Sequence, residues 1–94
     1  MDLTVILKNF LDERGRLLAF PAKRKMKTYA LHYLSARFQP GRQYTESEVN
    51  DLLDDWTAFH DPATLRRELY NNHFLDRSQD GRQYWLEDPQ PELT

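Results

Sequence analysis

A chain of 94 residues makes one small domain and buries roughly 60–65% of its unfolded surface, so most of its apolar stripes are needed in the core. The absence of cysteine excludes disulfides and thiolate metal sites and suits a reducing compartment. Net charge is -2, and no apolar run approaches the roughly 20 residues that span a bilayer.

The chain starts with Asp2 and lacks a basic stretch followed by an apolar one. No secretory leader is therefore expected, and the reading is of a cytoplasmic protein with no membrane contact. The charge is in blocks. Residues 14–45 carry eight basic residues and no acid, whereas residues 46–61 carry six acids and no base. One region can attract a polyanion and its neighbour would repel it.

Residues 2–13 place Leu3, Ile6, Leu7, Phe10 and Leu11 at helical spacing and stop near Gly15. This predicts an N-terminal amphipathic helix over 1–15. Its stripe faces either the domain itself or a second copy. Residues 16–20, RLLAF, read as an extended connector closed by Pro21.

Helical spacing returns over 22–38 with Met26, Tyr29, Ala30, Tyr33, Leu34 and Phe38, and Pro40-Gly41 ends it. The first turn carries Lys23, Arg24, Lys25 and Lys27, where the helix dipole is already positive. Such a cluster calls for an anionic neighbour or a solvated face. Arg42-Gln43-Tyr44 fits a short strand.

Thr45 opens a capping box with Glu48, and the helix that follows runs to about Phe59 with Val49, Leu52, Leu53 and Trp56 on one face. Asp61 and Pro62 restart a helix as N-cap and first residue. Leu65 and Leu69 face inward, which leaves Ala63, Arg67 and Tyr70 opposite, with Arg66 and Asn71 on the flanks.

Phe74 to Arg77 and Gln83 to Leu86 form two strands joined through Ser78-Gln79-Asp80-Gly81. Residues 88–94 are polar and proline-rich, and are expected to form a disordered tail. The order predicts an α+β, mainly α domain over 16–87. It is that of a winged helix-turn-helix with an extra N-terminal helix and a C-terminal β-hairpin wing.

The segments FPAKRKMK (20–27), FQPGRQYTESEVN (38–50), HDPATLRREL (60–69) and FLDRSQDGRQYW (74–85), in this order, resemble the bacterial DUF2087 family over about residues 16–86. The resemblance implies a small winged-helix domain, found alone or attached to transcriptional-regulator-type domains. It brings no assigned catalytic or ligand residue. It marks Tyr44, Thr45, Asn50, His60, Asp61, Leu65, Arg66, Arg67 and Tyr84 as family-like positions. Where the family usually has Gly after the last helix, this chain has Asn72-His73, so one of these two must take the left-handed position.

The leading functional expectation is a transcriptional-regulator-type domain that binds double-stranded DNA. Arg66, Arg67 and Asn71 lie on the helix that would enter the major groove. Arg77 and Arg82 flank the wing, and Lys23, Arg24, Lys25 and Lys27 could take phosphates. The acidic 46–59 helix and the net charge weigh against it. The alternative is a non-catalytic module for dimerisation or protein interaction. No enzyme activity, metal, cofactor or small-molecule ligand is expected. His32, His60 and His73 are scattered, and no phosphate loop or nucleophile motif is present.

Overall fold

The computed structural model describes residues 2–93. Met1 and Thr94, the outer ends of the expected N-terminal helix and tail, lie outside the described residues. The domain is α+β and mainly helical. Its elements are α1 (Leu3–Ile6), α2 (Arg24–Ser35), β1 (Tyr44–Thr45), α3 (Glu46–Asp55), α4 (Pro62–Asn71), β2 (Leu75–Arg77) and β3 (Gln83–Leu86). The strands form one antiparallel sheet in the order β1-β3-β2. Tyr44 is opposite Tyr84, which is in turn opposite Arg77. Among the described residues no helix is long and apolar enough to cross a membrane.

The N-terminal segment departs most from the expected helix over 1–15. Asp2 caps only one turn of α1, and a single 3-10 turn follows at Lys8–Phe10. Asp12 then competes with the helix for backbone donors, as short Asp side chains do. Its carboxylate accepts from the Arg16 backbone at 2.8 Å and the Arg14 backbone at 2.9 Å. The Arg16 guanidinium donates to its other oxygen at 2.8 Å. These contacts, led by the Arg16 backbone N–H, hold the Asp12 carboxyl below the usual carboxylate range.

The resulting turn is fixed at Gly15, whose φ is +80° and where a Cβ would stand 3.0 Å from the Tyr33 phenol oxygen. That phenol donates to the Gly15 carbonyl at 2.6 Å. The chain returns through Leu17, which bridges Leu11 on one side and Thr57 on the other. The Leu17 N–H donates to the Trp56 carbonyl at 2.8 Å, and its carbonyl accepts from the Ala58 N–H at 2.9 Å.

Leu7 and Leu17 are fully buried in the same core as Ala30, Leu34, Val49, Leu53, Leu65, Leu69, Phe74 and Leu75. Leu3, Ile6, Phe10 and Leu11 pack against it, half-buried. The apolar stripe of the first segment is thus used within the chain, and among the described residues of this region only Val5 and Leu18 stand out.

The capping box before α3 is present in full: the Glu48 N–H donates to Thr45 Oγ1 at 3.1 Å and the Thr45 N–H to Glu48 Oε1 at 2.9 Å. α3 ends at Asp55 rather than near Phe59, because Trp56 to Ala58 turn aside to pair with Leu17. Asp61 caps α4 and Pro62 opens it. His60 is exposed, with φ 50°, and its Nδ1 lies 3.8 Å from Asp54 Oδ1. On β3 it is Tyr84 that faces the core, with Trp85 half-buried.

Residues 88–93 are not a free tail. Gln90 Nε2 donates to the Phe74 carbonyl at 2.9 Å and the Glu87 carbonyl at 2.8 Å, and Leu93 lies against the core. The His32 ring meets Phe74 edge-on at 4.7 Å, and its Nε2 is buried without a partner. Burial lowers the pKa of His32, and a contact with the Glu92 backbone opposes that shift.

α4 closes with a Schellman motif: the Phe74 N–H donates to the Leu69 carbonyl at 2.9 Å and the His73 N–H to the Tyr70 carbonyl at 3.2 Å. The left-handed residue is His73, at φ 66°. A side chain in that region costs about 1–2 kcal/mol that Gly avoids. The His73 contact with Glu87, at 3.4 Å on a largely exposed imidazole, offsets little of this. His73→Gly is expected to stabilise the domain by about 1 kcal/mol and to raise Tm by about 4–8 °C. A thermal melt with unchanged or lower Tm contradicts this.

Candidate nucleic-acid interface

α4 turns three sides to three different surroundings. Leu65 and Leu69 are fully buried and fix its rotation. At 100° per residue, Arg66 and Tyr70 then point toward the sheet, Glu68 and Asn72 toward α2, and Arg67 and Asn71 along the outer crest. Arg67, Tyr70 and Asn71 are exposed.

The two adjacent arginines have different fates. Arg66 Nη2 lies 3.0 Å from Glu46 Oε1, and its Nη1 donates to Asn50 Oδ1. Its side chain is only 15% exposed. Arg66 is thus a clasp between α4 and α3, with its charge matched by Glu46. Arg67 forms no ion pair among the described residues and is left open to solvent.

Between α4 and the hairpin lies a cleft of about 320 Å³, lined by Glu46, Arg66, Arg67, Tyr70, Asn71, Arg77 and Tyr84. The Arg77 guanidinium stacks 4.8 Å from the Tyr70 ring centroid. Polar contact with the phenol oxygen of Tyr70, and then with that of Tyr84, raises its pKa. Arg77 is therefore an exposed cation stacked on Tyr70, with no ion pair among the described residues.

Arg82 projects from the hairpin turn, 84% exposed, with Nε 3.8 Å from Asp80 Oδ2. The turn itself is built by Ser78, whose hydroxyl donates to Asp80 at 2.6 Å, and by Gly81 at φ 71°. The Ser78 hydroxyl, with the Arg82 backbone N–H behind it, holds the Asp80 carboxyl below the usual range.

On the other flank of α4, the basic turn of α2 comes alongside. Arg24, Lys27, Thr28 and Leu31 share a cleft of about 350 Å³ with Glu68 and Asn72. Lys27 Nζ is 5.3 Å from the Phe20 ring centroid, and Lys25 Nζ is 6.0 Å from that of Tyr29. Lys23, Arg24 and Lys25 are exposed. The crest of α4 is thus bracketed by Arg77 on the hairpin side and by the 23–27 turn on the α2 side.

The acidic block is spread around α3 and partly neutralised within the domain. Glu46 is held by Arg66, and Glu48 Oε2 lies 3.2 Å from Arg42 Nη2. The Thr45 backbone N–H, the first of its contacts, holds the Glu48 carboxyl below the usual range. Asp54 and Asp55 share a separate cleft with Arg14, Arg16 and Trp56, on the side of the N-terminal segment. Asp61 is occupied as a cap. Among the described residues no group of three His, Asp or Glu side chains is placed to hold a metal ion.

Tyr70 and Tyr84 belong to this site although only the charged and amide residues around them suggested it from the sequence. The signal was available: an Asp-Gly turn at 80–81 puts Arg77 opposite Tyr84, and Tyr70 follows from the inward set of Leu65 and Leu69. A family model described as an uncharacterized protein conserved in bacteria, DUF2087, matches residues 16–86. No curated protein and no solved structure matches the chain.

Proposed function

Because the chain belongs to the bacterial DUF2087 family, which is uncharacterised, we propose a function from the geometry of its surface: it is a winged-helix domain that binds double-stranded DNA through α4 and the β2-β3 hairpin. The strand order β1-β3-β2, with α3 and α4 between the first two strands in sequence, supports the winged-helix reading. In that reading α4 enters the major groove and the hairpin is the wing.

The observation that carries the binding is the set of cations along one crest: Arg67, with Asn71 beside it, between Arg77 on one flank and Arg24 and Lys27 on the other. Arg67 and Asn71 are the side chains suited to base edges. Lys23, Arg24, Lys25, Lys27, Arg77 and Arg82 supply charge for phosphates, which give such interfaces most of their affinity. Arg66 supports the surface from behind by fixing α4 on α3. Of the acids that argued against a polyanion, Glu46 and Glu48 are paired with Arg66 and Arg42, and Asp54 and Asp55 are turned toward Arg14 and Arg16. The domain acts in this reading as the DNA-contacting part of a transcriptional-regulator-type protein.

Fluorescence anisotropy with a labelled mixed-sequence duplex tests the reading. With about four phosphates contacted, affinity is expected to fall about 100-fold between 50 and 200 mM salt. Lys25→Ala is expected to lower the salt slope by about 0.9. No binding at low salt contradicts the proposal, because even non-specific contacts register there.

A further inference from the structure

We infer that the cleft between α4 and the hairpin is a seat for one backbone phosphodiester, with Arg77 as the binding residue and Tyr70 and Tyr84 as the residues that position it. The inference rests on the DNA-binding reading and deepens it, by naming which cation anchors the backbone.

Three observations carry it. The Arg77 guanidinium lies 4.8 Å from the Tyr70 ring, and the Tyr70 and Tyr84 side chains line the same cleft. An exposed arginine ordinarily spends rotamer entropy to bind an anion. Here stacking on Tyr70 has already restricted it. Arg77 forms no ion pair among the described residues, so its positive charge stays available. The only carboxylate on the cleft among the described residues, Glu46, is paired with Arg66 at 3.0 Å.

Arg67 adds a second cation at the rim of the same cleft of about 320 Å³. That volume is ample for a phosphate group. By contrast, Lys23 and Lys25 are exposed charge on flexible stems, and Lys25 and Lys27 meet only the rings of Tyr29 and Phe20, at 6.0 and 5.3 Å.

The test measures salt-dependent DNA affinity of the full chain and its variants. Arg77→Gln is expected to weaken binding about 10-fold at low salt and to lower the salt slope by about 0.9, one phosphate. Arg77→Lys is expected to keep the slope and still lose affinity, because an ammonium cannot stack flat on Tyr70. Tyr84→Phe keeps the core shape and is expected to reduce affinity a few-fold with the slope unchanged, the mark of positioning rather than of charge. Arg14→Gln removes the same charge from the N-terminal turn, away from this face, and is expected to change neither quantity.

Arg77→Gln with wild-type affinity and slope, beside a wild-type chain that binds, overturns the seat and leaves the DNA reading standing. A wild-type chain that does not bind overturns both. Inorganic phosphate that binds the wild-type chain and fails to bind Arg77→Gln, while DNA binds both equally, makes the cleft a free-phosphate site and overturns the assignment to a phosphodiester.

Discussion

Leu17→Ala is expected to cost the domain about 2–5 kcal/mol, a third or more of the stability of a typical small domain. Leu17 is fully buried, and it is the residue through which the N-terminal segment joins the end of α3. The loss combines removed apolar area with the cavity left behind. Its backbone bonds to Trp56 and Ala58 hold the surrounding strandlike pieces in place, so the site has little freedom to collapse. Urea denaturation monitored by tryptophan fluorescence measures the effect, and Trp56 lies next to the change.

The same account predicts that a chain starting at Gly15 is strongly destabilised. It loses the fully buried Leu7 and the cover given by Leu3, Ile6, Phe10 and Leu11. A chain without residues 2–14 that is folded and as stable as the full chain contradicts the view that this segment belongs to the core.

Arg67→Ala is expected to weaken duplex binding by about 1–3 kcal/mol, about 5- to 150-fold, and to relax discrimination between sequences. Its stability should hardly change, since Arg67 is exposed and makes no ion pair among the described residues. Arg66→Ala should behave in the opposite way. It strands Glu46 and Asn50 and removes a largely buried side chain, so folding suffers first and binding only through it. Melting curves and anisotropy on the two variants separate these effects. Equal loss of affinity in both, with both fully stable, contradicts the assignment of Arg67 to the surface and Arg66 to the clasp.

This pair shows how far the sequence could be read. Helical spacing identified α4, its caps and its inward leucines, because Asp61, Pro62, Leu65 and Leu69 are local signals. Assigning Arg66 to α3 required knowing which turn of α3 lies beside it, a tertiary fact that the spacing of either helix alone does not contain. The hairpin was legible through Asp80-Gly81, and so was the capping box at Thr45–Glu48, since both are satisfied within a few residues.

The N-terminal segment was misread for a physical reason. Its apolar period is helical, but Asp12 draws the Arg14 and Arg16 N–H groups into a turn and Gly15 admits the Tyr33 phenol. The helix has already stopped after one turn, at Ile6, and the same apolar residues reach the core by a different path. The tail was misread likewise. Its polar composition hid Gln90 and Leu93, which dock on Phe74 and the core. At the end of α4, the missing Gly left Asn72 and His73 as equal candidates, and the backbone bonds assign the left-handed position to His73.

The placement of the basic turn bears directly on function. Lys23, Arg24, Lys25 and Lys27 could have faced the acidic helix, which would have cancelled them. Arg24 and Lys27 instead lie beside the end of α4, whereas Asp54 and Asp55 lie near Arg14 and Arg16. Net charge alone therefore understates the contrast between the two faces of the domain.

The most direct measurement is an amide chemical-shift titration of the isotope-labelled chain with a mixed-sequence duplex. Shifts are expected to concentrate at residues 23–28, 66–72 and 77–82, and to spare residues 2–18 and 54–57. Shifts centred on the N-terminal segment and the end of α3, or none at all at low salt, would contradict DNA binding through the α4 crest.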